Sequence, residues 1–85
     1  MLHEVVSVRH PGGHRLRVRF ADGVEGVVDL AEIVPFEGVF EPLRDPGVVA
    51  QVAVSLGTVV WPSGADLDPD VLHARVTGRP VSVGG

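Results

Sequence analysis

The stretch from residue 57 to residue 70, GTVVWPSGADLDPD, constrains the fold of this chain more than any other segment. Its apolar beginning, which ends at the only tryptophan, Trp61, predicts a buried strand. Residues 62–64, Pro-Ser-Gly, have the composition of a tight turn. Asp68 followed by Pro69 predicts a helix start, because a carboxylate caps free backbone amides and proline suits the first helical position. The segment therefore predicts a strand, a tight loop and a capped helix, which is an architecture and not a chemistry.

The composition limits the chain to one small domain. It has 85 residues and no cysteine, so neither disulfides nor thiolate metal sites can support its small core. Valine is the commonest residue, and β-branched side chains pack well in sheets. Eleven glycines and seven prolines divide the chain into short elements. We predict a single α+β domain over residues 1–78 and a C-terminal tail over residues 79–85.

Residues 14–21 alternate between apolar and charged side chains, which predicts a strand with one buried and one solvated face. The apolar set is Leu16, Val18 and Phe20, and the charged set is Arg15, Arg17 and Arg19. Residues 3–10 and 24–28 predict the neighbouring strands, and Pro11-Gly12-Gly13 is expected to end the first. Asp22-Gly23 predicts a two-residue hairpin turn with positive φ at both positions. The first 28 residues therefore predict a three-stranded antiparallel meander, in which Gly26 indicates a bulge or a close backbone approach.

The rest of the chain predicts short helices and two more strands. Asp29 is expected to cap a helix that runs through residue 34, and Asp45-Pro46 to start another of one or two turns. Residues 37–43 are expected to be extended or irregular, with Phe40 and Leu43 anchored inward. Strands are predicted at 51–56 and 58–61, and the last helix, over residues 70–77, is expected to end at Gly78. The predicted fold class is α+β: a small antiparallel sheet, formed by the N-terminal meander and further short strands, with two or three short helices.

Asp66, Asp68 and Asp70 form a D-x-D-x-D pattern that is superficially like a calcium-binding loop. Such a loop requires glycine at its sixth position and glutamate at its twelfth, where this chain has Val71 and Thr77. Helix capping and favourable placement at the helix N-terminus explain Asp68 and Asp70 without an ion. We therefore interpret these acids, together with Trp61 as a core anchor, as a structural motif.

The histidines follow no metal-binding or catalytic motif. They are His3, His10, His14 and His73, and the sequence contains no H-x-E or H-E-x-x-H pattern. Ser63, His73 and Asp66 could form a catalytic triad, but no G-x-S-x-G motif surrounds the serine. The sequence predicts no catalytic residue, no cofactor, no metal and no enzyme activity. The alternative is a small enzyme with a pocket near Trp61, Asp66 and His73.

Arg15, Arg17 and Arg19 are the candidate partner-binding residues. They are expected to lie about 7 Å apart along one strand, and arginine is favoured at protein interfaces. They could equally solubilise the sheet, with Glu25 as the nearest cross-strand pairing partner. The formal net charge of −4 argues against general nucleic-acid binding, which depends on neutralising phosphates.

The chain is expected to be cytoplasmic. No apolar run approaches the roughly 20 residues that span a bilayer. The residues after Met1 lack a basic segment followed by an apolar one, so no secretory signal is expected.

The chain resembles a known family over roughly residues 3–76. The resemblance rests on four segments that follow one another in the family's order: 21–23, 26–30, 40–45 and 57–70. The last block is the most specific, and the family is the bacterial domain-of-unknown-function family 2442 (DUF2442). Ser63 stands where the family often has asparagine, and His73 where it often has tyrosine. The resemblance implies a small α+β domain and carries over no catalytic residue. It also implies a genetic setting similar to that of toxin–antitoxin pairs.

These observations favour a non-catalytic protein-interaction module that docks a small partner protein through a surface patch or a sheet edge. Its narrower form is antitoxin-like, with an acidic protein neutralising a basic, toxin-like one. A homo-oligomer is also expected to be accessible, since a small sheet leaves unpaired edges. The alternative outside this class is a nucleic-acid-binding transcriptional autoregulator that uses the row Arg15, Arg17 and Arg19.

Overall fold

A computed structural model describes residues 3–78 of the chain. It contains two small antiparallel sheets of three strands each and a few short helices, which confirms the predicted α+β class. The predicted C-terminal tail, residues 79–85, lies outside the described residues. No helix within residues 3–78 combines the length and the apolar character needed to cross a membrane.

The first sheet is the predicted meander. It consists of β1 (Val5–Gly12), β2 (Arg15–Phe20) and β3 (Glu25–Asp29), paired in that order. The prediction that Pro11 ends the first strand was wrong, because β1 continues through Gly12. A register shift between Arg9 and Gly12 accommodates the proline, and β1 is an edge strand of its sheet, where a missing amide is tolerated.

The turn between β2 and β3 differs from the predicted two-residue hairpin. Gly23 has φ 89°, whereas Asp22 is not among the non-glycine residues at positive φ. The amide of Phe20 donates to the carbonyl of Val24 at 2.8 Å, and the amide of Gly23 donates to the carbonyl of Phe20 at 3.0 Å. The loop is therefore three residues long, with its only left-handed residue at the third position, a common alternative in hairpins.

The second sheet consists of β4 (Ala53–Ser55), β5 (Thr58–Val60) and β6 (Asp66–Leu67), again in chain order. Its strand β6 was not predicted. Leu56 and Gly57 form the two-residue turn between β4 and β5, both with positive φ, at 51° and 77°. The amide of Val5 donates to the carbonyl of Gly57 at 2.9 Å, so this turn also joins the two sheets.

The helices within residues 3–78 are short, and all but the one that follows Glu37 begin at a predicted aspartate. Two are 3₁₀-helices (Leu30–Glu32 and Gly38–Arg44), and two are α-helices, α1 (Pro46–Val49) and α2 (Pro69–Thr77). Asp29, Asp45 and Asp68 each accept a hydrogen bond from the amide two residues later, at 2.9, 2.8 and 2.8 Å. Gly78 ends α2 with φ 72°. The irregular structure expected for residues 37–43 was wrong, because most of them belong to the second 3₁₀-helix.

The core lies between the sheets and the helices. Trp61 is 4% exposed, and its indole nitrogen donates to the carbonyl of Val49 at 3.1 Å. Gly26 allows α2 to approach β3, because a Cβ at this position would lie 2.6 Å from Cγ1 of Val76. The close backbone approach predicted at Gly26 is confirmed. The buried side chains are Val5, Leu16, Val18, Phe20, Val28, Leu30, Leu43, Val49, Val59, Trp61, Ala65, Leu67 and Leu72.

Candidate functional site

One candidate site is the open face of the first sheet, which we call the arginine face and define as Arg9, Arg15, Arg17, Arg19 and Glu25. Strand register places them together: Arg9 pairs with Arg17, and Arg19 with Glu25. Arg15 shares the face because side chains of alternate residues point the same way. All five residues are exposed, whereas the opposite face of β2 is buried. The alternation predicted for β2 is confirmed.

A single ion pair crosses the arginine face within residues 3–78. Arg17 Nη2 donates to Glu25 Oε1 at 2.8 Å, in a diagonal contact between β2 and β3. This hydrogen bond, reinforced by the opposite charge, lowers the pKa of Glu25 and raises the pKa of Arg17. The predicted pairing role of Glu25 is therefore confirmed. Within the described residues, Arg9, Arg15 and Arg19 make no ion pair, so three guanidinium groups remain available to a ligand.

The arginine face is slightly concave. A depression of about 380 Å³ lies over the middle of the sheet, and its walls include Ser7, Arg9, Arg17, Arg19 and Glu25. Flexible guanidinium groups around a shallow depression suit a flat polar surface, because arginine binds carboxylates through two parallel hydrogen bonds. The geometry does not enclose a small molecule, since binding sites for such ligands bury most of the ligand surface.

A second candidate site is a group of titratable side chains that pack together beside the turn between β2 and β3. His3, Asp22 and His73, here called the histidine cluster, come from the segment before β1, the β2–β3 turn and α2. One possible ligand atom from each residue lies within 4.8 Å of the other two. The His3 and His73 rings stack with their centroids 3.6 Å apart and an angle of 9° between their planes.

Hydrogen bonds orient the histidine cluster. His73 Nε2 and Asp22 Oδ2 are 2.9 Å apart, and Asp22 Oδ1 accepts from the amide of Val24 at 3.0 Å. These two hydrogen bonds, the backbone one first, lower the pKa of Asp22 below its usual value. The His3 amide donates to Asp70 Oδ1 at 3.2 Å, which fastens the segment before β1 to the start of α2.

His73 is the buried member of the cluster. Its residue exposure is 8%, and the ring of Phe20 packs against it edge-on at 4.8 Å. Asp22, by contrast, keeps 47% of its side chain exposed. The cluster is therefore buried at His73 and open to solvent at Asp22.

The other predicted site residues do not converge. His73 is paired with Asp22 and not with Asp66, the partner required by the suggested triad. Asp66 borders a groove of about 200 Å³ that also includes Ile33 and Phe40 and residues at the start of α2, and its walls include neither Trp61 nor His73. Asp68 caps α2, Asp70 accepts the bond from the His3 amide, and Trp61 is buried in the core.

Arg9, His3 and Asp22 were not among the predicted site residues. Arg9 lies in β1, whose two register shifts obscure the alternation that identifies its face. Asp22 was interpreted only as a turn residue. His3 and His73 lie 70 positions apart in the sequence, so no local spacing indicates that they meet. The sequence offered only one indirect signal for this cluster, namely that the hairpin acid Asp22 closely follows the buried aromatic residue Phe20.

These features define a class of protein, namely a small α+β domain with two three-stranded sheets and one open basic sheet face. The chain belongs to the family described as Protein of unknown function (DUF2442), whose model matches residues 5–78. The resemblance noted in the sequence is thereby confirmed. Searches of curated proteins and of solved structures found no match to this chain.

Proposed function

We propose that the chain is a non-catalytic protein-interaction module of the bacterial cytoplasm that docks a partner protein through the arginine face. The observation that carries this proposal is the grouping of four arginines on one open sheet face, three of them without an ion pair within residues 3–78. Maintaining several like charges side by side costs free energy unless water or a ligand neutralises them. A partner that presents carboxylates would supply that neutralisation.

The charge distribution supports a protein partner over a nucleic acid. Four of the seven arginines lie on this face, although the chain as a whole carries a formal charge of −4. Glu25 stands among them and is held there by Arg17. A carboxylate on the same face repels phosphates, but it can accept hydrogen bonds from an amide or guanidinium group of a protein partner.

The narrower, antitoxin-like form of the proposal uses the acidic part of the surface. Exposed acids are concentrated in the segment that contains both 3₁₀-helices, at Glu32, Glu37, Glu41 and Asp45. A basic partner, such as a toxin that binds nucleic acid, would be attracted to these acids, since complementary charge accelerates association and selects partners. The partner would then contact both the acidic segment and the arginine face.

The proposal is tested by affinity capture followed by quantitative mass spectrometry, with variants of this chain as baits. We expect a stoichiometric small partner with the native chain and its loss with Arg17→Glu combined with Arg19→Glu. Arg44→Glu is the control for charge reversal outside the arginine face. Arg44 lies in the acidic segment, where added negative charge should not weaken the attraction of a basic partner, so we expect this variant to retain the partner. Circular dichroism must show that all variants fold.

The outcome distinguishes the remaining alternatives. Retention of the partner by the double variant contradicts docking through the arginine face. Loss with Glu41→Arg, with the double variant still binding, would assign docking to the acidic segment. Capture of nucleic acid, with an affinity that falls steeply between low and moderate salt, would favour the transcriptional regulator. Light scattering that shows a dimer, abolished by the double variant, would identify a second copy as the partner.

A further inference from the structure

We propose that His3, Asp22 and His73 bind a zinc ion. This site shares no residue with the arginine face, so the inference goes beyond the proposed function and its test is independent. The observation that carries it is the convergence of two imidazoles and one carboxylate, from three distant parts of the chain, with ligand atoms within 4.8 Å of one another.

The donor set suits zinc. Zinc takes imidazole nitrogen and carboxylate oxygen at about 2.0–2.2 Å, and sites with three protein ligands leave a fourth position for water. Imidazole selects for zinc and its neighbours among the transition metals, whereas magnesium and calcium prefer an all-oxygen shell. Two histidines with a single carboxylate therefore exclude the hard cations as the preferred occupants.

The charge states are also favourable. A metal-binding carboxylate must be ionised, and both oxygens of Asp22 already lie within hydrogen-bond distance of nitrogen atoms: the Val24 amide at 3.0 Å and His73 Nε2 at 2.9 Å. The 2.9 Å hydrogen bond between His73 Nε2 and Asp22 Oδ2 needs one proton. Zinc would take the place of that proton and bind both atoms. The proton passes to water if the ring is protonated on both nitrogens, and it moves to Nδ1 if the ring is neutral.

The geometry requires a limited adjustment. Ligands at about 2.0–2.1 Å from a tetrahedral ion lie about 3.3 Å from one another, so separations up to 4.8 Å must shorten. The parallel stacking of the two rings must also be lost, because each imidazole binds a metal in its own plane. His3 can make this rotation, since it lies before β1 and is only partly buried. His73, held in α2, stays in place.

Neighbouring groups would support the bound ion. The amide of Val24 holds one oxygen of Asp22 and leaves the other for the metal, while the Phe20 ring shelters one side of His73. Asp70 holds the His3 backbone through its amide, which limits how far this ligand can move. Such surrounding contacts orient metal ligands, and their loss typically costs about 10–100-fold in affinity.

Isothermal titration calorimetry of the full, tag-free chain with Zn²⁺ tests the inference directly. We expect one saturable site per chain and a loss of affinity of more than about tenfold in each of His3→Ala, Asp22→Asn and His73→Gln. Asp22→Asn is the most informative variant, because asparagine retains an oxygen that can accept from the Val24 amide but lacks the charge. It also remains decisive if His73→Gln fails to fold.

Matched controls are available within the same chain. His10→Ala and Asp66→Asn remove the same side-chain types outside the cluster, and both should leave the affinity for Zn²⁺ unchanged. Titration with Co²⁺ followed by visible absorption adds a second readout, with an intense tetrahedral spectrum expected for the native chain and not for Asp22→Asn.

Three results would overturn the inference. The first is no saturable binding of Zn²⁺ by the native chain. The second is binding that survives all three cluster variants. The third is binding lost equally with His10→Ala, which would indicate nonspecific association with surface histidines.

Discussion

Two turns of this molecule have the same backbone and different surroundings. In the turn from Phe20 to Val24, the aromatic amide donates to the carbonyl four residues later at 2.8 Å, and in the turn from Trp61 to Ala65 it does so at 3.0 Å. The glycine at the fourth position donates back to the aromatic carbonyl at 3.0 Å in both turns. Its φ is 89° at Gly23 and 97° at Gly64.

The residue before the glycine makes the difference. Asp22 occupies this place in the first turn and contacts His73 of α2, whereas Ser63 in the second turn is exposed. Both turns are anchored by a buried aromatic side chain. The aromatic residue and the glycine therefore define the loop shape, while the side chain between them determines whether the loop joins a site. The predictions below test this separation of roles.

The largest effect is expected for the anchors. Phe20→Ala and Trp61→Ala each remove a large buried side chain, and such changes cost about 3–5 kcal/mol in the free energy of unfolding. We expect Trp61→Ala to be the more severe, because it also removes the donor to the Val49 carbonyl. Urea unfolding followed by far-ultraviolet circular dichroism measures both free energies. Tryptophan fluorescence cannot serve, because Trp61 is the only tryptophan and Trp61→Ala removes it. A cost below about 1 kcal/mol at either position would contradict its role as an anchor.

An intermediate effect is expected for the glycines. Gly23→Ala and Gly64→Ala each place a Cβ on a left-handed residue, which costs about 1–2 kcal/mol. Neither Cβ would lie within 4 Å of another atom, so the expected cost comes entirely from the strained backbone conformation. The two free energies of unfolding should therefore fall by the same amount. Clearly unequal losses would show that the two loops are not equivalent.

The smallest effect is a dependence on pH that belongs to the first turn. The pKa of Asp22 is lower in the folded chain than its ordinary value. At pH values above that ordinary pKa, the charged form of Asp22 therefore stabilises the fold. This contribution is lost as the pH falls through the folded pKa. The urea midpoint of the native chain should thus decrease on acidification from about pH 5, and less steeply in Asp22→Asn. Asp66→Asn serves as the control, and an equal slope in Asp22→Asn would contradict the linkage.

Much of the fold follows from local patterns. The alternation along β2 predicts both its burial and the arginine row, because a strand turns successive side chains to opposite faces. Asp29, Asp45 and Asp68 predict three helix starts, since capping depends only on nearby amides. Gly26 predicts the close approach of another element, although it does not identify that element as α2.

Turn geometry and long-range contacts were harder to predict. Asp22-Gly23 has the composition of a two-residue hairpin turn. The two-residue turn with positive φ at both positions occurs instead at Leu56-Gly57, and leucine does not predict such a turn. The burial of Phe20 and the packing of α2 on β3 favour the longer loop in the first sheet. The histidine cluster depends on the same packing, so its members could not be paired from sequence spacing alone.

The conformation of Leu56 has a practical consequence. Its backbone is left-handed, at φ 51°, and its side chain is 93% exposed, so the hairpin requires a shape that leucine adopts with difficulty and presents an apolar tip to water. Asparagine favours this shape in tight hairpins. Leu56→Asn should therefore yield a more stable polypeptide with a lower tendency to aggregate. It would be the variant of choice for crystallisation.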